Sequence, residues 1–565
     1  MNIDHVLEGV QKPARYIGGE HNSVKKDWNK TPVRMCLSYP DVYEIGMSYL
    51  GLQILYHMIN SKDSFLCERV FAPWPDMERR LIDTDNTLFS LESRNPLGSF
   101  DVLGFSLAYE MTYTNVLNII NLSGMPIFSR DRDIHCPLII AGGPSSLNPA
   151  PMAAFVDMFM MGDGEDACLE LLDLIREIKS KGKNVREEIR SFSRIEGLYI
   201  PHIHEDKARI RKRVRADLDS AYYPDKPLVP YIKTVHDRVA VEIMRGCPNA
   251  CRFCQARYIY HPVRIRSKNK VLEICRRSIE STGHDEVSFL SLSSSNYPYL
   301  MELLDMMKKE YEGQGVHISV PSMRVEDFCV ELPKRIALGR KTGLTFAPES
   351  GSASLRDRIG KNIDIEKLIQ ACEIAFRSGW GRVKLYFMIG LPGESIKDLD
   401  ETLELINRIY FTGRAIRKGI QVKLSINTFI PKPHTPFQWM GMESIDSIRG
   451  KQIYLMERLR KKGIRYNFHD LKLSALEAVL SRGDFSLSDV IHKAWSSGAK
   501  FDAWTEYADF GIWERSFADC GLSMYDLACK TYNYQEALPW DFIDVGIPKS
   551  ALIKEAEQSS SSNSL

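Results

Sequence analysis

The stretch "EIMRGCPNACRFCQAR", residues 242–257, places Cys247, Cys251 and Cys254 within eight positions of one another. It overlaps the end of an apolar run, "VAVEIM" (239–244), that reads as a β-strand, so the three thiols sit on the loop leaving a strand. A loop with C-x3-C-x2-C spacing can wrap its thiolates around one metal centre. Structural zinc takes four ligands. His261 lies seven residues beyond Cys254, but the second close pair that a zinc ribbon brings is missing. Ferredoxin clusters differ in spacing and take four cysteines. Three thiolates on a four-iron cluster leave one iron open to bind and activate a small molecule. Structural zinc and a redox-sensing cluster are the alternatives.

Working outward, "EVSFLSL", "HISVPSM", "GLTFAPE", "RVKLYFMIG" and "QVKLSINTFI" read with "VAVEIM" as six strands separated by helical stretches. Ser395 with Asp398 resembles a capping box before "LDETLELINRIYF", and Gly379 closes "IEKLIQACEIAFRSG". Residues 239–442 are therefore expected to form a partial (βα)6 barrel, with chemistry at the C-terminal ends of its strands. Upstream, residues 1–205 alternate strand-like and helical runs, the pattern of a doubly wound α/β domain. Its glycines follow strands in "AGGPSS" (141–146) and "MGDGED" (161–166), where an open parallel sheet places its ligand crevice. Their spacing is not the dinucleotide fingerprint, so NAD is not expected.

Residues 206–238 read as a basic linker. On a strand, Arg209, Arg211, Arg213 and Arg215 would share one face, either solvated or set against the phosphates of RNA or another anionic substrate. Residues 443–550 read as mainly helical, with Trp495, Trp504, Trp513 and Trp540 as core. His469 with Asp470, and Arg482 with Asp484, are polar pairs read as structural. The segment 551–565 is polar and of low complexity, and is expected to be disordered.

With 565 residues the chain is long enough for about two to four domains. Lys+Arg 74 against Asp+Glu 73 gives a net charge of +1, so no global field draws it to nucleic acid or lipid. "MNIDHVLEGV" carries acids and no signal-peptide core, and no window reaches the about 18 apolar residues of a membrane span, so a cytoplasmic location is expected. The remaining nine of the 12 cysteines are scattered singly and form no disulfide framework.

The cysteine motif, with Phe253 as the aromatic before the last cysteine, resembles the signature of the radical S-adenosylmethionine (SAM) superfamily. That resemblance implies a [4Fe-4S] cluster on Cys247, Cys251 and Cys254, with SAM on the fourth iron and cleaved reductively to a 5′-deoxyadenosyl radical. It also implies an electron donor such as flavodoxin or ferredoxin. Ser293 and Ser294 in "SLSSSNY" stand where the superfamily holds the SAM amino group, and Glu349 and Ser350 in "FAPESGS" where it reaches the ribose or methionine moiety. Met388, Ile389 and Gly390 in "YFMIGLPGES" stand beside the adenine, and "NTFIPKPHTPFQW" resembles the sixth-strand segment whose backbone meets it.

A flavodoxin-like sheet before such a barrel resembles the cobalamin-binding class of the superfamily. The signature residues would be Asp41, Gly46, Ser106, Gly142 and Gly143, with Tyr43 in the place of the axial histidine, so a histidine-ligated cobalamin is excluded there. "PARYIGGE", "YPDVYEIGMSYLGLQILY", "GFSLAYEMTYTNVLNIINLSG", "MGDGED", "FLSLSSSN" and "LPWDFIDVGIPKS" together resemble an uncharacterised family of radical SAM proteins with a B12-binding domain. The implied activity is radical SAM C–H activation, with cobalamin-dependent methyl transfer as an extension. The alternatives are a SAM- and cluster-binding regulatory protein without turnover and an enzyme whose N-terminal domain no longer binds cobalamin. A second tri-cysteine site, as in the methylthiotransferases, is not found. No residue identifies a catalytic acid, and the substrate class stays open between RNA, a protein side chain and a small metabolite.

Overall fold

Strand β2 (Phe65–Phe71) is buried at every position and β1 (Val33–Tyr39) at all but Arg34, as in strands covered on both faces. The structure is a computed structural model that describes residues 3–204, 209–322 and 344–561. Its first sheet adds β3 (Val102–Ser106), β4 (Leu138–Gly142), β5 (Met158–Met160) and β6 (Leu198–Tyr199) in the order β2-β1-β3-β4-β5-β6. All neighbours pair in parallel except β6, which runs antiparallel at the edge. The order 2-1-3-4-5 is that of a flavodoxin-like doubly wound sheet, and it puts the crevice at the ends of β1 and β3. Cys36 belongs to the apolar core on one side of this sheet, Cys67 and Cys168 to a second core on the other.

The linker is tied down. Strand β7 (Ile210–Arg211) pairs in parallel with β17 (Ile543–Asp544), and Arg209, Arg213 and Arg215 pair with Asp544, Glu170 and Asp166. Arg209 and Arg211 are exposed while Lys212, next along the chain, is buried, its ammonium donating to the carbonyls of Ile259 and His261. Most of the basic face is therefore neutralised by the chain's own acids, which favours the solvated-face reading over a phosphate surface.

The expected barrel strands form at β8 (Val239–Glu242), β11 (Glu286–Leu290), β12 (His317–Ser319), β13 (Leu344–Glu349), β14 (Arg382–Ile389) and β15 (Gln421–Thr428). They group as β12-β11-β8 and β13-β14-β15-β16, parallel throughout, where β16 is Ile464–Phe468. Cys329, Met323 at the end of the third predicted strand and Gly343 at the start of the fourth lie outside the described residues. In β14, Val383, Leu385, Phe387 and Ile389 are buried, and Lys384, Tyr386 and Met388, on the opposite face, are only partly so. The capping box at Ser395 and Asp398 is present.

Two expectations for the C-terminal region need correction. The mainly helical segment contributes β16, which extends the parallel sheet beyond the sixth strand; Arg465, Tyr466 and Asn467 are all exposed, so the strand shows no alternation in sequence. The segment expected to be a disordered tail is helical to Ser561, with Leu552 and Ala556 buried against Tyr258, Trp439 and Trp540. A polar composition conceals a helix whose few apolar residues share one face.

The helices of 471–519 cover the C-terminal ends of the first sheet. Trp504 donates its indole N–H to Asp41 at 2.9 Å, the Phe501 amide donates to Asn115 at 2.8 Å and the Thr114 hydroxyl donates to Asp502 at 2.6 Å. Trp74, just after β2, packs on Phe501 and Trp504. Among the described residues no helix is long and apolar enough to cross a membrane.

Candidate functional site

The cysteine loop is closed at its base by the antiparallel pair β9 (Met244–Arg245) and β10 (Arg264–Ile265). Above that base it is fixed on three sides. The Asn249 amide donates to Cys247 Sγ at 3.3 Å and to Ser293 Oγ at 3.2 Å, joining the loop to the end of β11. The Arg252 amide donates to the Ile359 carbonyl, and its guanidinium to the carbonyls of Asp357 and Arg358, beyond β13. Phe253 packs against the apolar cluster of Leu355, Ile359, Leu391, Phe429 and Phe437, on which Met388 also rests, beyond β14 and β15. All three cysteines remain partly exposed.

Lys361 Nζ stands 3.2 Å from Glu349 Oε1. Burial pushes the Cys251 thiol up to about 11 against the pull of the Lys361 ammonium, and it raises Cys254 as well. Burial likewise raises the Glu349 carboxyl against the same ammonium. Glu349 holds φ at 65°, in the left-handed region, just after a register shift between Phe346 and Glu349. A non-glycine residue is held there only when its surroundings enforce it, and such residues cluster at functional sites.

The other predicted rim residues divide. Ser293 and Ser294 are buried, with Ser293 donating to Asn296 and Ser294 paired with Ser291. Ser350 is buried too, but its hydroxyl accepts from the Ser352 amide and so serves the turn before the helix Ala353–Arg358. Met388 packs on the same apolar cluster as Phe253 of the cysteine loop, whereas the Ile389 side chain lies in the main core. The Gly390 amide donates to Glu394, which Lys451 holds at 2.8 Å. The rim thus brings the cysteine loop together with Ser293, Glu349 and Met388.

These residues fit a four-iron cluster by donor chemistry: three thiols on one loop, a nearby ammonium that favours thiolates, and an amide hydrogen-bonded to one sulfur. No three His, Cys, Asp or Glu side chains among the described residues form a group that could hold a single metal ion.

At the first sheet the signature residues also divide. Tyr43 is buried and donates its hydroxyl to Glu20 Oε1 at 3.0 Å, which pairs with the buried Arg69, so it faces the core and supplies no axial ligand. Asp41 accepts from the Val42 amide and from Trp504. A Cβ on Gly46 would stand 2.2 Å from Phe71, so this glycine serves helix packing on β2. Ser106, Gly142 and Gly143 stay partly exposed at the ends of β3 and β4, and the Ser146 hydroxyl beside them is buried with no hydrogen-bond partner among the described residues. The β3–β4 side therefore fits a bound group, and the β1 side is filled by the protein itself.

One cluster was not anticipated. Lys432, four residues past β15, donates to Glu110 at 3.1 Å and Ser481 at 2.7 Å and lies 2.9 Å from Glu477, which also accepts from Tyr109 at 2.6 Å. It joins the loop after β3, the barrel rim and the helix Leu471–Arg482. The resemblance carried by "NTFIPKPHTPFQW" concerns its backbone, and nothing local marks its lysine as the partner of a glutamate more than three hundred residues earlier. His469, at the end of β16, pairs with Ser474, and Arg482 caps the carbonyls of Met440 and Ala528.

A loop of three thiols at the C-terminal ends of parallel strands, following a flavodoxin-like sheet, defines an α/β protein with a cysteine-built candidate site. The comparisons agree. The family model described as radical SAM superfamily matches residues 241–406, and that described as radical SAM proteins, N-terminal, matches 51–201. The uncharacterized protein MJ0966 of Methanocaldococcus jannaschii is 30% identical over 462 residues, 80% of this chain and 89% of that one. The threonylcarbamoyladenosine tRNA methylthiotransferase MtaB of Thermotoga maritima is 25% identical over 258 residues, 43% of this chain and 56% of that protein. The solved structure of the cobalamin-dependent radical enzyme OxsB, with aqua-cobalamin and SAM bound, matches with a TM-score of 0.49 at 13% identity, covering 94% of this chain and 79% of that one. The chain belongs to the radical SAM superfamily and, within it, to the family of the archaeal protein MJ0966.

Proposed function

We propose that this protein is a radical SAM enzyme in which Cys247, Cys251 and Cys254 hold a [4Fe-4S] cluster and the adjoining rim holds SAM. The carrying observation is the convergence of the thiol loop, Ser293, the strained Glu349 and Met388 at one end of the parallel strands. When bound, the reduced cluster cleaves SAM to methionine and a 5′-deoxyadenosyl radical that takes a hydrogen atom from an unactivated carbon. The chain's own residues orient and shield. Asn249 holds Cys247, and Lys361 balances Glu349 and the thiolates. With SAM bound, Ser293 and Ser294 would meet its amino group, Glu349 its ribose or methionine moiety with Ser350 shaping the turn beside it, and Met388 with the backbone of Ile389 and Gly390 its adenine. Electrons come from a flavodoxin- or ferredoxin-type donor.

Cobalamin belongs to this reading on the β3–β4 side of the first sheet, over Ser106, Gly142 and Gly143, with no axial ligand from Tyr43. Methyl transfer to the substrate radical would then be the outcome. A methylthiotransferase reading is disfavoured by Cys36, Cys67 and Cys168: all are buried in apolar cores, and Cys36 lies on the opposite side of the sheet from the other two. Ion pairing of Arg209, Arg213 and Arg215 lends no support to an RNA substrate over a protein or a small molecule.

The test is EPR of the anaerobically reconstituted, reduced protein with and without SAM. The reading expects a [4Fe-4S]+ signal whose g-values move on adding SAM. A reduced cluster that is indifferent to SAM would sink it, and a response to SAM without any 5′-deoxyadenosine would favour the regulatory alternative.

A further inference from the structure

The turn "MGDGED", 161–166, was singled out as a ligand crevice, yet the structure puts it to another use. Asp163 Oδ1 pairs with Arg245 at 2.9 Å, and its Oδ2 accepts from Arg264 and, at 2.7 Å, from the Arg215 amide. Glu165 of the same turn pairs with Arg245 at 2.9 Å, and Glu242 does so at 3.0 Å. The Asp163 amide donates to the Arg213 carbonyl, so the turn is fixed by backbone as well.

Arg245 and Arg264 are directly opposed residues of β9 and β10, the two chains that close the base of the cysteine loop. Like charges facing across a strand pair repel. With side chains only 12% and 5% exposed, these arginines cannot shed their repulsion into water. Asp163, itself 9% exposed, is the carboxylate that touches both. The next residue after Arg245 is Gly246 at φ 88°, where a Cβ would stand 2.7 Å from the Tyr260 carbonyl, so the base is close-set on its cysteine side as well. Cys247 follows immediately.

We propose that Asp163 is a positioning residue for the cluster loop: the β5 turn of the N-terminal sheet clamps the two arginines and thereby sets the spacing of the three thiolates. This rests on the cluster reading above. Loss of outer-sphere support typically costs a metal site about 10–100-fold in affinity.

The test uses the full chain, reconstituted anaerobically. Asp163→Asn should retain wild-type far-UV circular dichroism before reconstitution, lose iron to a chelator about tenfold faster, and lose the SAM-induced shift of the reduced EPR signal. Asp166→Asn, in the same turn, removes a partner of the Arg215 guanidinium but none of Arg245 or Arg264, and should behave as wild type. The double variant Asp163→Asn with Arg264→Gln removes the opposed charges and should recover both iron retention and the SAM response. Wild-type retention and EPR in Asp163→Asn, or a double variant no better than the single one, overturns the proposal. If Asp163→Asn does not fold, Arg245→Lys decides instead, since it keeps the charge but not the three-way contact; an unchanged SAM response there overturns the proposal equally. A wild-type protein that takes up no cluster would instead refute the cluster reading itself.

Discussion

The N-terminal sheet and the two parallel sheets of the second half, β12-β11-β8 and β13-β14-β15-β16, carry C-terminal rims with different fates. At the rim around the cysteine loop, Cys247, Cys251, Cys254 and Glu349 remain partly exposed, with Asn249 bound to Cys247 and Lys361 to Glu349. At the rim of the N-terminal sheet, the β1 side is occupied by the chain's own Trp504, Phe501 and Asp502, and only the β3–β4 side stays partly open. The same topological rule marks both as crevices. What separates them is what the rest of the chain puts there, so a crevice predicted by fold becomes a site only where its side chains are left free to meet a ligand.

The largest effect that would break this contrast is at the barrel rim. Lys361→Met leaves Glu349 buried without its cation and should cost about 3–5 kcal/mol, read by urea unfolding, together with weaker iron retention. Next is Trp504→Ala at the other rim. It should cost about 3 kcal/mol while leaving iron uptake at the cysteine loop unchanged; a parallel loss of iron would show that the two rims are not independent.

A pH prediction sharpens the same side. Burial raises Asp502 to about 6, with the Thr114 and Trp513 hydrogen bonds pulling it down. A carboxyl whose folded value exceeds its unfolded value near 3.9 favours the protonated folded state, so its contribution to stability is present at low pH and declines as pH rises from about 4 to about 6, by about 3 kcal/mol in all. Above that it is flat. Asp502→Asn should remove this slope from denaturation curves measured between pH 4.5 and 7.5 (about the range over which it acts). The smallest effect is Tyr43→Phe, which removes the hydroxyl bond to Glu20 and should cost about 1–2 kcal/mol. If desalted protein retains a corrin absorption band after supply of hydroxocobalamin, that band should be the same in Tyr43→Phe as in the wild type; a change would mean that Tyr43 reaches the corrin after all.

What could be read from the residues alone follows the range of the interactions. The cysteine loop was legible because its ligands lie within eight positions, and the barrel strands because β-periodicity and capping are local signals. The helix Lys549–Ser561 was hidden by serine-rich composition, since Leu552 and Ala556 are the only apolar side chains it buries fully among the described residues and its Glu555 bonds to Arg257 and Tyr258 carry no local signature. β16 was hidden because its middle faces solvent. The bonds of Trp504 to Asp41 and of Lys432 to Glu110 join residues with no local signature, and they decide which part of the first rim stays open. Tyr43 shows the limit of motif alignment: its position was anticipated, and its direction, towards Glu20, was not.

The most direct test of the account is to reconstitute the protein anaerobically with iron and sulfide, reduce it in the presence of SAM, and follow 5′-deoxyadenosine by mass spectrometry. The comparison is a variant with Cys247, Cys251 and Cys254 all changed to Ala. The account predicts product from the wild type alone. Product from both proteins, or none from a wild-type cluster that EPR shows to be reduced and SAM-bound, would contradict it.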